Sequence, residues 1–182
     1  ADPFCFRYGD WYYAVATGKA ECYSPSFEGP YVVPMVKSPD LRHWGDHHVL
    51  LHARSGAWWD ANKIGLSPTP LETPEGWLLL YHGVRHTPGG CLYRLGLALL
   101  DLEQPWRVLR RSDDWIFAPE MPYERQGDVN GVVFPCGWIL DEASGMIRMY
   151  YGGADSCLAL ATARLSDVLD YVRACPAPPP RE

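Results

Sequence analysis

Short apolar runs separated by glycine, proline and aspartate dominate this chain, and their spacing predicts strands far more often than helices. Candidate strands run from Trp11 to Thr17, Tyr31 to Ser38, Ile64 to Thr69, Gly76 to Val84, Leu92 to Asp101, Gly131 to Leu140, Met146 to Gly152 and Leu158 to Arg164. The segment SPDLRHWGDHHVLL reads as a turn followed by a further strand. One stretch alone has helical spacing: Ser166 to Ala174, with Ser166 as the expected cap and Val168, Leu169 and Val172 on one face. The pattern predicts an all-β domain over residues 1–175, followed by a disordered proline-rich tail, 176–182.

Three segments repeat this pattern at wider spacing. GDWYYAVATG, EGWLLLYHGV and SGMIRMYYGG each enter from a turn, continue as an apolar or aromatic strand and leave through small residues. A recurrence of about 65 to 70 residues is what equivalent strands of successive propeller blades produce. At four strands per blade, the chain holds about three blades, fewer than a closed ring needs.

Composition narrows the classes. The chain has 182 residues and is 47% hydrophobic, enough for one domain with a sizeable core. Its net charge of −6 gives no general attraction to nucleic acid or anionic lipid, so an anionic ligand would need a local basic pocket. No run approaches the length of a membrane span and no basic-then-apolar leader opens the chain, which predicts a cytoplasmic protein. The six cysteines form no CxxC pair and are expected to be buried thiols. The chain starts at Ala1 within a strand-like motif, as part of a longer product would.

Histidines 43, 47, 48 and 52 cluster, but on a strand His47 and His48 point to opposite faces, which disfavours a shared metal. Arg107, Arg110 and Arg111 are flanked by Asp101, Glu103, Asp113 and Asp114 and read as paired surface charges.

The richest strings lie between Trp58 and Asp155. WWDANKIG, TPEGWLLLYHGV, YRLGLALLDLEQPWRVLRRS, PYERQGDVNGVVFPCG and MYYGGADSCLALATA, in that order, resemble the second half of the family 130 glycoside phosphorylases and hydrolases. The resemblance covers about Ser38 to Tyr171 and implies a five-bladed β-propeller that acts on β-mannosides, with the sugar on the propeller axis and, in the phosphorylases, inorganic phosphate beside it as co-substrate. It implies no other cofactor and no metal. By the same resemblance, Lys63 and His82 face the phosphate and Tyr93 joins them. Asp155 would bind hydroxyls of the mannose ring, Phe134 would form an aromatic wall, and Asp128 would support the site.

These residue types suit that chemistry on their own terms. Phosphate is held by a point charge and fixed donors. Sugars take carboxylate acceptors and flat apolar faces, which Trp58, Trp59 or Tyr123 could add. The general acid of the implied inverting mechanism maps to Asp2, in a segment that keeps the Asp-Pro of the family string and lacks its Arg. Arginines that the family adds from earlier blades are absent here, with Arg7 and Lys19 as stand-ins. Three readings follow in order: phosphorolysis of a β-mannosyl linkage to mannose 1-phosphate, hydrolysis of such a linkage, and a carbohydrate-binding relative without activity. The expected partners are a β-mannoside oligosaccharide, phosphate and, through exposed blade edges, another copy of the chain.

Overall fold

The computed structural model describes residues 3–18 and 31–178, whose strands form three antiparallel sheets. The first contains β1 (Phe4–Tyr8), β2 (Trp11–Val15), β3 (Val32–Ser38) and β4 (Gly45–His52), in that spatial order. In the second, β5 (Lys63–Leu66) is an edge and the short β6 (Leu71–Thr73) pairs with β7 (Gly76–Thr87). β8 (Gly90–Leu100) and β9 (Val108–Arg111) complete it, in the order β5-β7-β8-β9. A short helix, α1 (Pro122–Arg125), precedes the third sheet of β10 (Val133–Asp141), β11 (Met146–Gly153) and β12 (Cys157–Arg164), and α2 (Leu165–Ala174) follows it. The all-β, propeller-type architecture with about three blades and a C-terminal helix is as the sequence predicts.

The three recurring segments are β2, β7 and β11, each the second strand in its sheet. Their entry glycines, Gly9, Gly76 and Gly145, have φ of 58, 136 and 67°, conformations that side chains disfavour. The repeat in the sequence is thus a repeat of blade position.

β7 is buried on both faces, which is why GWLLLY is a continuous apolar run and not an alternating one. Leu79 and Tyr81 enter the core shared with the first sheet, beside Val15, Val33 and Met35. Leu78 and Leu80 enter the core shared with the third sheet, beside Val133, Ile147 and Met149. Ile139, Tyr150, Leu158 and Leu160 remain exposed on the third sheet.

β7 and β8 extend beyond the expected strands through the pairs Arg85↔Leu92, His86↔Cys91 and Thr87↔Gly90. That end of the hairpin is carried by ladder hydrogen bonds and has no apolar signal to read. β1, β6 and β9, which the pattern did not single out, are strands of 5, 3 and 4 residues.

Two further expectations are corrected. Ser166 does not cap α2: the helix starts at Leu165, and the Ser166 hydroxyl donates to Asp167 at 3.1 Å. β12 stays paired through Arg164, opposite Met146, so the chain turns directly from strand into helix. Arg111 is not a surface charge. It joins Arg54 on the fully buried Asp60, at 2.8 and 2.7 Å, and the Tyr81 hydroxyl donates to the same carboxylate at 3.1 Å. Arg107 and Asp101 do form an outward pair, 3.8 Å apart. Of the proline-rich segment, Pro176 lies against β9, its carbonyl accepting the Arg111 N–H at 3.2 Å. Residues 179–182 lie outside the described residues.

Candidate active site

Strand register gathers three of the expected residues. Lys63 on β5 pairs with Val84 on β7, which pairs with Tyr93 on β8. Two residues along, Gly65, His82 and Leu95 form the adjacent row. Directly opposed residues share a face, as do residues two apart along a strand. Lys63, His82 and Tyr93 therefore lie on one face of the second sheet, the face whose Leu78, Leu80 and Leu95 pack on the third sheet.

His82 is 6% exposed, and its imidazole lies over Gly65, where a β-carbon would fall 2.4 Å from Cε1 and 2.5 Å from Nε2. Thr17 closes the same spot and its Oγ1 accepts the Leu66 N–H at 2.8 Å. Burial, and then the nearby Lys63 charge, push His82 down to about 4, against an opposing hydrogen bond with the Leu66 backbone. The ring is neutral at pH 7. Its Nδ1 is buried without a partner. The Lys63 ammonium sits 5.3 Å above the Tyr31 ring.

The third sheet supplies the rest. The Phe134 ring, exposed on edge strand β10, stands 5.2 Å from the His82 ring at 51°. Asp155 occupies the β11–β12 turn at φ 52°, after Ala154 at 47°. Its charge reaches Tyr93, whose hydroxyl is pushed up first by burial and then by Cys91 and Asp155. The turn is held by Ala154 N–H on the Val132 carbonyl (2.8 Å) and Val129 N–H on the Ala154 carbonyl (3.1 Å). Asp128 joins it through its backbone N–H, which donates to Ser156 Oγ at 2.8 Å. The face of the second sheet that carries Lys63, His82 and Tyr93 thus meets Phe134 and Asp155 of the third sheet.

Other expected residues stand elsewhere. Asp2 and Lys19 lie outside the described residues. Arg7 is engaged in its own hairpin, donating to Gly9 at 3.2 Å and lying 5.5 Å over Tyr12. Trp59 is core and not a sugar platform: it fills a slot over Gly83 and Gly96, stacks on Tyr81 at 5.5 Å and donates to the Asp113 carbonyl at 2.7 Å. Trp58 is exposed but covered on one face by the Arg54 guanidinium, 3.9 Å from its centroid. Among the described residues no group of three or more His, Cys, Asp or Glu is placed to share an ion. His48 instead stacks on Trp106 at 5.3 Å, and His43 pairs with Asp40 at 2.7 Å. Cys5, Cys91, Cys136 and Cys157 are free thiols, as expected, but exposed, because each lies on a sheet edge or an outward-facing strand position.

Next to the Asp155 turn lie Glu124, which the sequence did not single out, and Tyr123, expected there as a flat face. Glu124 is buried, accepts the Tyr151 hydroxyl at 2.6 Å and takes the N–H groups of Glu120 and Met121 at 2.6 and 2.7 Å. Burial opposes its charge, but these hydrogen bonds prevail and hold it below its usual value. Tyr123 meets Tyr151 hydroxyl to hydroxyl at 3.2 Å and packs on Gly153, two residues before Asp155. A shallow cavity of about 290 Å³ opens beside Glu124 and Tyr151. Gly65 and Thr17 were legible only as small residues leaving or entering strands.

Known proteins share this chain's sequence and shape. Residues 26–174 match the model of the glycoside hydrolase family described as beta-1,4-mannooligosaccharide phosphorylase. A beta-1,4-mannooligosaccharide phosphorylase from Ruminococcus albus is 42% identical over 138 residues, 75% of this chain and 40% of that protein. A beta-1,2-mannobiose phosphorylase from Listeria innocua is 41% identical over 135 residues, 74% of this chain and 36% of that protein. The solved structure of beta-1,2-mannobiose phosphorylase from Listeria innocua, in complex with beta-1,2-mannobiose, superposes with a TM-score of 0.82 at 35% identity, covering 95% of this chain and 46% of that one. The chain thus spans less than half the length of these relatives. By sequence over most of its length and by fold, it belongs to glycoside hydrolase family 130.

Proposed function

We propose that this chain forms the phosphate and mannosyl side of a β-mannoside phosphorylase. In the reaction, a phosphate oxygen attacks the anomeric carbon, the glycosidic C–O bond breaks, and the leaving oxygen takes a proton from a general acid. The products are mannose 1-phosphate of inverted configuration and the shortened sugar. Lys63 supplies the cation for the anion, His82 and Tyr93 supply hydrogen-bonding groups, and Asp155 with Phe134 takes the sugar ring. Asp2 would be the proton donor.

The observation that carries this reading is the common face of Lys63, His82 and Tyr93, with the Asp155 charge reaching Tyr93 from the next sheet. Hydrolysis needs a carboxylate that activates water. The groups around His82 are instead an ammonium, a phenol and an aromatic ring. The names of the relatives, phosphorylases of mannooligosaccharide and mannobiose, support the same choice.

The test is to incubate the full chain with β-1,4- or β-1,2-mannobiose and phosphate, and to quantify mannose 1-phosphate and free mannose. Sugar phosphate and mannose in equal amounts are expected. Mannose formed without sugar phosphate would establish hydrolysis instead, and mannobiose binding with no product would establish a binding module.

A further inference from the structure

Asp155 is delivered by its backbone. Among the described residues no hydrogen bond holds its carboxylate, so the direction of that group is set by the turn that carries it. The turn from Gly153 to Ser156 closes with the Ser156 N–H on the Gly153 carbonyl at 3.0 Å, and both central residues, Ala154 and Asp155, are left-handed. Turns with two such residues prefer glycine or asparagine at the centre. Aspartate tolerates the conformation, but alanine has no polar group to offset the clash of its β-carbon. Such a pair persists only where its surroundings over-determine it.

Those surroundings are the segment from Gly127 to Val132. Ala154 is fully buried, its N–H donating to the Val132 carbonyl and its own carbonyl accepting the Val129 N–H. Ser156 ties the two pieces together a second time: its hydroxyl accepts the Asp128 N–H at 2.8 Å and donates to the Ala154 carbonyl at 3.0 Å. The hydroxyl is thus used as acceptor on one side of the junction and as donor on the other. Gly127 permits the close approach, since a β-carbon there would fall 2.4 Å from Ser156 Oγ and 2.5 Å from the Ala154 carbonyl oxygen. Val132 and Val133, both buried, root the segment in the core.

We propose that Ser156 is a positioning residue for the sugar site: its hydroxyl locks the left-handed Ala154–Asp155 pair to the Gly127–Val132 segment, so that the Asp155 carboxylate meets the mannosyl hydroxyls already oriented. The inference rests on the assignment of Asp155 to the sugar ring and extends it to the residue that fixes its aim. The gain is preorganisation, because an acceptor held before binding gives up little freedom when the sugar arrives. Without the hydroxyl, the Asp128 N–H loses its partner and the turn is free to relax. The carboxylate must then be ordered again each time a sugar binds.

The experiment is calorimetric titration of the full chain with β-1,4- and β-1,2-mannobiose. Ser156→Ala is expected to bind sugar roughly five- to tenfold more weakly, whereas Ser156→Thr, which keeps the hydroxyl, should stay within about twofold of the unmodified protein. Gly127→Ala, which forces the segment off the turn without removing the hydroxyl, should weaken binding in the same direction. Since Ser156 acts through the carboxylate, Ser156→Ala should have no further effect once Asp155→Gly has removed that group, a coupling that a residue serving stability alone does not show. Hydrogen exchange at the Asp128 amide should quicken in Ser156→Ala and recover in Ser156→Thr. Undiminished sugar affinity in Ser156→Ala, or the same loss with and without the Asp155 carboxylate, would overturn this inference and leave the sugar site standing. Undiminished affinity in Asp155→Gly, or no mannobiose binding by the unmodified chain, would overturn the sugar-site assignment as well.

Discussion

The α-carbon of Gly65 on β5 serves as the floor beneath the His82 ring on β7, so that a β-carbon there would sit 2.4 Å from Cε1. Thr17 Oγ1, 2.9 Å from the same point, blocks retreat from the other side. Gly65→Ala should therefore displace the imidazole. Overpacking of this kind costs about 1–3 kcal/mol. Phosphate affinity, measured by calorimetry, should drop roughly tenfold or more while the melting temperature falls by only a few degrees. Unchanged phosphate affinity would show that the ring's position does not matter.

Asp60 is the buried anion between Arg54 and Arg111. Removing one partner of such a group leaves charge uncompensated, typically at about 3–5 kcal/mol. Asp60→Ala should lower the unfolding free energy measured by urea denaturation by that amount, and Asp60→Asn should recover part of it by keeping the Tyr81 hydrogen bond. The effect is on stability, since the node lies on the opposite face of β7 from His82.

His82 should make folding pH-dependent. Its value falls from 6.5 to about 4 on folding, so below about 6.5 the unfolded chain binds a proton that the native ring refuses. The stabilisation is complete above about 6.5, shrinks as pH decreases and is gone by about 4. Thermal melts from pH 4 to 7 should show this slope in the unmodified protein and a shallower one in His82→Gln. Lys63→Met should raise the ring's titration midpoint, read by NMR, without restoring it to an ordinary histidine value, because burial is the larger cause.

Asp155 combines a left-handed backbone with a charge near Tyr93. Asp155→Asn keeps the conformation and removes the charge, so the Tyr93 hydroxyl should titrate at lower pH and mannobiose affinity should fall roughly 10- to 100-fold, as loss of a charged hydrogen bond does. Asp155→Ala adds about 1–2 kcal/mol of backbone strain. Calorimetry and thermal melts separate the two effects. Equal sugar affinity in all three proteins would remove Asp155 from the sugar site.

Local features were legible in the sequence: the apolar run of β7, the recurring turn glycines and the helix face of Leu169 and Val172 each leave a periodic trace. Lys63, His82, Tyr93, Phe134 and Asp155 were found through motif order; the register then set the first three on one face, with Phe134 and Asp155 reaching it from the third sheet. Burial of Arg111 was not legible, because the flanking acids suggested pairing outside while its partner, Asp60, lies 51 residues earlier. Trp59 looked like a platform because the glycines that accept it, Gly83 and Gly96, are remote in the chain. Glu124 reads as an ordinary surface acid until the fold brings it to Tyr151.

Lys63, His82 and Tyr93 all belong to one sheet, whereas Asp155 and Phe134 belong to the next. The leucines of β7 and β8 packed between the two sheets, Leu80, Leu95 and Leu97, therefore set how far one group stands from the other. Trimming these leucines would shift the two groups relative to each other without altering a side chain of either.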